Sequence, residues 1–159
     1  MSWRDLETGA PDLAREGWAR FERTKVALLG TIRRDGSPRI SPVEPYLIDG
    51  ELVVGVMPSP KLDDLRRDPR CVLHSSVSNL EGSEGEFKVH GRAVATDKPA
   101  ILGAESAWWA GRSPDRFGAF TIDLEEAVLV TWSADQGEMT TARWSRAEGL
   151  REQTRTYPE

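Results

Sequence analysis

One lysine stands where an anion could be held. Lys61 lies in the run Ser59-Pro60-Lys61-Leu62, followed by DDLRRDP. Ser59 is a capping residue type, Pro60 suits the first helical position, and Asp68-Pro69 ends the segment, so the spacing predicts a short helix from Pro60 to Asp68. The first turn of a helix carries backbone N–H groups that lack intrahelical acceptors, and an ammonium group just inside it adds a full positive charge. Phosphate is the ligand chemistry that suits this arrangement. Upstream, Arg39-Ile40-Ser41-Pro42 offers a guanidinium fork and a hydroxyl on a strand. Arginine can bind phosphate bidentately, and a strand carrying Pro42 and Pro45 leaves edge groups free to bond the rim of a heteroaromatic ring. Singly, each feature has an ordinary explanation: a lysine near a helix start is usually solvated, and Ser-Pro is good capping chemistry.

Strands must position these groups. Leu13, Trp18 and Phe21 recur at helical spacing among charged residues, which predicts an amphipathic helix over 11–24. Lys25 to Arg33 reads as a strand covered on both sides. Asp35-Gly36 and Asp49-Gly50 are hairpin signals that link it to a strand over 38–47 and to ELVVGVM, giving a three-stranded antiparallel meander. With two prolines, the middle segment reads as an edge or bulged strand. Cys71–Ser78 is a fourth strand, and Glu86–Thr96 alternates cleanly, with Phe87, Val89, Gly91, Ala93 and Ala95 on one face. A helix is expected from Asp97 to about Ala110, then strands at 120–122, 127–132 and 139–145, and a charged, mobile tail over 146–159. Six or seven antiparallel strands with short flanking helices hide their edges best as a split β-barrel, a mainly β fold forming a single domain over 1–159.

In combination and order, the segments VALLGTIRRDGSPRISPV, IDGELVVGVMPSPKLDDLRRDPR and EGEFKVHGRAVATD resemble the pyridoxamine 5′-phosphate oxidase-like family of FMN-binding split barrels, which includes the flavin/deazaflavin oxidoreductases. The resemblance implies FMN, or the related coenzyme F420, bound through its phosphate in a cleft between the subunits of a homodimer. It places Arg39, Ile40, Ser41 and Pro42 against the flavin ring and ribityl chain. Val54, Gly55, Val56 and Met57 fall on the flanking strand, and Ser59, Lys61 and Leu62 at the phosphate step. Arg143, Trp144 and His74 are candidates for completing the site of a partner chain. Two departures matter. Pro60 stands where many relatives carry a second basic residue, which weakens phosphate neutralisation and argues against a polyglutamated coenzyme. TTARWSRAEGLREQ also lacks the arginine and histidine substrate segment of pyridoxamine phosphate oxidase proper, which argues against vitamin B6 oxidation.

The remaining chemistry is mostly exclusion. There is no GxSxG, P-loop or HExxH motif, and the lone Cys71 can form neither an intramolecular disulfide nor a metal cluster. His90, His74, Cys71, Trp108-Trp109 and the acidic pairs Asp63-Asp64 and Glu125-Glu126 read first as structural or solvated groups. With 26 acidic and 21 scattered basic residues, nucleic-acid binding is not expected. No apolar stretch suggests a signal peptide or a membrane span, so a cytoplasmic protein is expected. The leading expectation is a flavin-dependent oxidoreductase acting on a small organic substrate, with the cofactor supplying the redox chemistry, which calls for no catalytic triad; no catalytic side chain is assigned. The alternatives are an F420-dependent reductase, a carrier of flavin or haem without turnover, and a scaffold whose cleft is empty.

Overall fold

The computed structural model describes residues 1–78, 83–96, 117–133 and 137–156. The helix expected over 97–110, with Trp108-Trp109, lies outside the described residues.

Two helices open the chain. Trp3–Gly9 (α1) was not anticipated, although its signal is present. The Ser2 hydroxyl accepts from the Asp5 backbone N–H at 3.2 Å and the Ser2 N–H donates to the Asp5 carboxylate at 2.9 Å, a reciprocal cap. Pro11–Thr24 (α2) follows with the expected bounds, burying Leu13, Ala14, Gly17 and Phe21, and ends at Lys25 in the left-handed conformation.

Among the described residues nine strands form one antiparallel sheet: Ala27–Ile32 (β1), Pro38–Val43 (β2), Pro45–Ile48 (β3), Glu51–Val56 (β4), Arg70–Ser75 (β5), Glu86–Ala95 (β6), Gly118–Ser133 (β7), Glu138–Ser145 (β8) and Gly149–Thr156 (β9). A third helix, Pro60–Arg67 (α3), separates β4 from β5. The main path runs β2-β1-β5-β6-β7-β4-β3, and its seven strands are the barrel the sequence predicts. Its two ends do not pair, so the barrel is split.

The long strand β7 explains the remaining strands. On one side it pairs with β6 along most of its length; on the other it pairs first with β4, at Gly118–Thr121, and then with β8, at Glu126–Ser133. The change of partner coincides with a bulge. His90 opposes Glu126 while Gly91 opposes Leu124, leaving Glu125 as the extra residue. The short strands expected at 120–122 and 127–132 are therefore one strand with a kink.

Three further expectations are corrected. The segment 146–159 is not a mobile tail throughout: Gly149–Thr156 pairs with β8 as an edge strand, its alternating Arg, Gln and Thr side chains exposed on both faces. The three-stranded meander is two separate hairpins, β1–β2 and β3–β4, because Pro42 and Pro45 lack the N–H groups needed to carry a ladder across Glu44. The β3–β4 turn is the two-residue type that Asp49-Gly50 favours, with φ of 54° and 81°. Finally, β1 is covered on one face only. Ala27, Leu29 and Thr31 are buried, whereas Leu28 is 37% exposed, beside Ile40 of β2 at 72%.

The core fills the concave side of the sheet. Where β6, β7 and β8 leave the barrel, α1 and α2 cover it with edge-to-face aromatic rings: Trp3 on Trp18 and Phe87, and Phe21 on Trp18 and Phe87, with centroids 5.3–6.4 Å apart. Gly17 permits this contact, since a Cβ there would lie 2.5 Å from the Phe87 ring.

Candidate functional site

The split in the barrel is a groove. Val26, Pro42, Val43 and Glu44 line one side and Gly55, Met57 and Lys61 the other, around about 240 Å³. β2 comes close to β4 here without pairing to it, the two prolines having removed the donors. One hydrogen bond bridges the gap: the Lys61 ammonium donates to the Pro42 carbonyl at 3.1 Å. That is the only hydrogen bond of the Lys61 ammonium among the described residues, and it makes no ion pair there. Burial, uncompensated by any carboxylate, holds its pKa below the ordinary 10.5.

A buried carboxylate fastens the helix that carries Lys61. Asp64, one turn further along α3, accepts from Arg39 Nε at 2.7 Å, from the Thr31 hydroxyl at 3.1 Å and from Arg67 at 3.2 Å. Burial alone would raise its pKa, but the hydrogen bonds from Arg39, Thr31 and Arg67 outweigh it and bring the group below 3.8. Arg67 also donates to the Ile32 carbonyl, so α3 is tied to both strands of the β1–β2 hairpin.

Of the residues selected from the sequence, Pro42, Gly55, Met57 and Lys61 meet in the groove. Arg39 does not line it; its guanidinium is engaged by Asp64. Ile40 is exposed on the outer face of β2, and Ser41 is half-buried. Val54, Val56 and Leu62 point into the core. Ser59 stands at the N-cap of α3 in extended conformation, yet its hydroxyl donates back to the Met57 carbonyl at 2.8 Å rather than capping the helix. Alternation along β2 and β4 accounts for the division: a run of four strand residues cannot present every side chain to one cleft.

The three residues offered for a partner's site also separate. Pro42, Leu28, His74, Lys88, Val128 and Arg143 are successive cross-strand partners, a single row running from the groove over the outer face. His74 contacts the Ser75 carbonyl at 2.6 Å and Glu86 at 3.2 Å, and Arg143 pairs with Glu126 at 2.5 Å. Trp144 belongs to the opposite face. It is buried in the core, and a Cβ on Gly9 would lie 2.5 Å from its Nε1. The sequence reading missed Glu44, whose carboxylate accepts from the Tyr46 hydroxyl at 2.7 Å, and Val26 and Val43, which carry no chemical signal beyond hydrophobicity. Among the described residues no cluster of three potential metal ligands occurs, and no helix is long and apolar enough to cross a membrane.

A seven-stranded split barrel with a groove at its open seam, flanked by a helical hairpin, is the fold of the pyridoxamine 5′-phosphate oxidase-like proteins. Solved structures bear this out. PhzG from Burkholderia lata 383, in complex with tetrahydrophenazine-1-carboxylic acid, superposes with a TM-score of 0.72 at 14% identity, covering 97% of this chain and 95% of that one. A pyridoxamine 5′-phosphate oxidase-related, FMN-binding protein from Nostoc punctiforme PCC 73102 follows at 0.64 and 11%, covering 94% and 96%. A haem-binding protein from Mycobacterium smegmatis reaches 0.55 at 13%, covering 89% and 88%. At the level of sequence, no family model and no curated protein matches the chain.

Proposed function

We propose that the protein is a flavin-dependent oxidoreductase that binds FMN by its phosphate at Lys61 and transfers hydride or electrons to a small organic substrate. The observation carrying this reading is the Lys61 ammonium: half-buried, with no carboxylate partner among the described residues, it faces a groove at the start of α3 whose other lining residues, Glu44 apart, carry no charge. A desolvated cation there gains on meeting an anion. Bound flavin would supply the redox chemistry. The chain's own residues would bind and orient it: Lys61 the phosphate, the side chains of Pro42 and Met57 the apolar surface, and Gly55 room for close approach.

The groove's volume also supports a homodimer. At about 240 Å³ it falls below the roughly 300–1,000 Å³ typical of pockets that enclose a whole small molecule. A further wall is needed, and the exposed Leu28 and Ile40 beside Pro42 provide an apolar surface on which a second copy can sit.

Titration with FMN, followed by quenching of flavin fluorescence, tests the binding. Lys61→Ala is expected to weaken it by about 1.5 to 3 kcal/mol, the range for a hydrogen bond to a charged group. An unchanged dissociation constant removes Lys61 from the site, and no binding of FMN removes this assignment. The same titration with F420 separates the deazaflavin alternative. A carrier that does not turn over is the second reading, favoured by the haem-binding protein among the structural neighbours. Photoreduced flavoprotein mixed with candidate electron acceptors distinguishes the two: an oxidoreductase reoxidises faster with its acceptor, a carrier does not.

A further inference from the structure

Two opposite charges line the groove without meeting. Lys61 donates to the Pro42 carbonyl, while the Glu44 carboxylate is held by the Tyr46 hydroxyl at 2.7 Å. Tyr46 packs against Ile48, Val53, Phe117 and Ala119, so its phenol is anchored and keeps Glu44 at its place on the seam. The other lining residues carry no charge, which leaves the groove formally neutral. A phosphate monoester carries about −1.5 to −2 at neutral pH. Lys61 offsets one unit, and Glu44 repels the remainder.

We propose that Glu44 is a specificity-determining residue that limits the negative charge a ligand can bring into the groove, favouring a flavin with no more than one phosphate over one extended by an anionic tail. This rests on the flavin assignment above and deepens it. At the intermediate dielectric of a partly buried site, a unit charge within several ångström of a phosphate shifts binding on the order of tenfold. Exposed charges further away are screened at physiological salt.

The experiment compares riboflavin, which has no phosphate, with FMN. Glu44→Gln keeps an acceptor for the Tyr46 hydroxyl and removes only the charge; Glu44→Ala is the second variant, in case the amide is not tolerated. In either variant FMN is expected to bind about tenfold more tightly while riboflavin changes by less than about twofold, and the gain shrinks as potassium chloride is raised. If both flavins bind and their affinity ratio is the same with and without Glu44, the charge limit is overturned and the flavin assignment stands. If the unmodified protein binds neither flavin, the flavin assignment fails and takes this inference with it.

Discussion

The two ends of the sheet solve opposite problems. Where β6, β7 and β8 diverge from the barrel, the α1–α2 hairpin covers the opening with Trp3, Trp18, Phe21 and Phe87, and glycines at positions 9 and 17 let helix and ring approach closely. Where β2 faces β4, the opening is left unsealed: prolines strip the edge of donors, and one lysine reaches across to a carbonyl. Dispersion and burial dominate the first region, desolvated charge the second. Close packing and desolvated charge thus fall to different residues, so that either can be changed without the other.

The largest effect should come from the sealed end. Phe87→Ala removes a fully buried ring that contacts two aromatic partners and is expected to cost about 3–5 kcal/mol in urea unfolding. Flavin affinity at temperatures where the variant stays folded should be unchanged; a loss would mean the two regions are coupled. Lys61→Ala, for which weaker FMN binding is expected, is the reciprocal change. Its unfolding free energy at pH 7 should move by no more than about 0.5 kcal/mol. The sign of the pH dependence follows from burial. Because folding lowers the Lys61 pKa, the unfolded chain holds that proton more tightly, and stability gains as pH rises through the folded value towards 10.5; the variant should lack that gain.

What could be read in the sequence follows the same division. Elements announced by local signals were legible: the amphipathic period of α2, the Asp49-Gly50 turn, the Ser59-Pro60 start of α3 and the alternation of β6. The position of Lys61 at a helix start was legible because that is a local feature. The partner of Arg39 was not. Asp64 lies 25 residues away, and only the docking of α3 on β1 and β2 brings the two together. Glu44 was missed because its place in the lining depends on β2 meeting α3 across a seam, which no spacing along the chain encodes. The segment 146–156 looked like a tail because its side chains are polar on both faces, and an edge strand without cover has no hydrophobic period to betray it.

Asp64 is where the open seam is fastened, and it should give the next effect in size. Asp64→Asn keeps the shape but discards the charge that Arg39 and Arg67 share, at an expected cost of about 1–3 kcal/mol at pH 7. Its folded pKa lies below 3.8, so the unfolded chain binds the proton first, and the stability Asp64 contributes is lost as pH falls below 3.8 through the folded value. Acid titration should therefore show a shallower fall in the variant. Equal slopes would mean that Arg39 and Arg67 do not stabilise the charged form.

The smallest effect is expected at Cys71, on β5, where the sheet carries neither the aromatic seal nor the groove. Its thiol donates weakly to the Gly91 carbonyl at 3.6 Å. Burial first, and the Glu125 carboxylate second, push its pKa up to about 12. Thiolate is the reactive form, and a free cysteine ionises near 8.5, so at pH 8 the native protein holds on the order of a thousandfold less thiolate than its unfolded chain. Iodoacetamide should therefore modify Cys71 far more slowly in the folded protein than in the unfolded chain. Phe87→Ala should accelerate that modification by lowering the cost of global unfolding, whereas Lys61→Ala should leave it unchanged. Equal alkylation rates in the unsubstituted protein and the Phe87→Ala variant would show that the reagent reaches Cys71 without global unfolding, and would uncouple this thiol from the sealed end of the sheet.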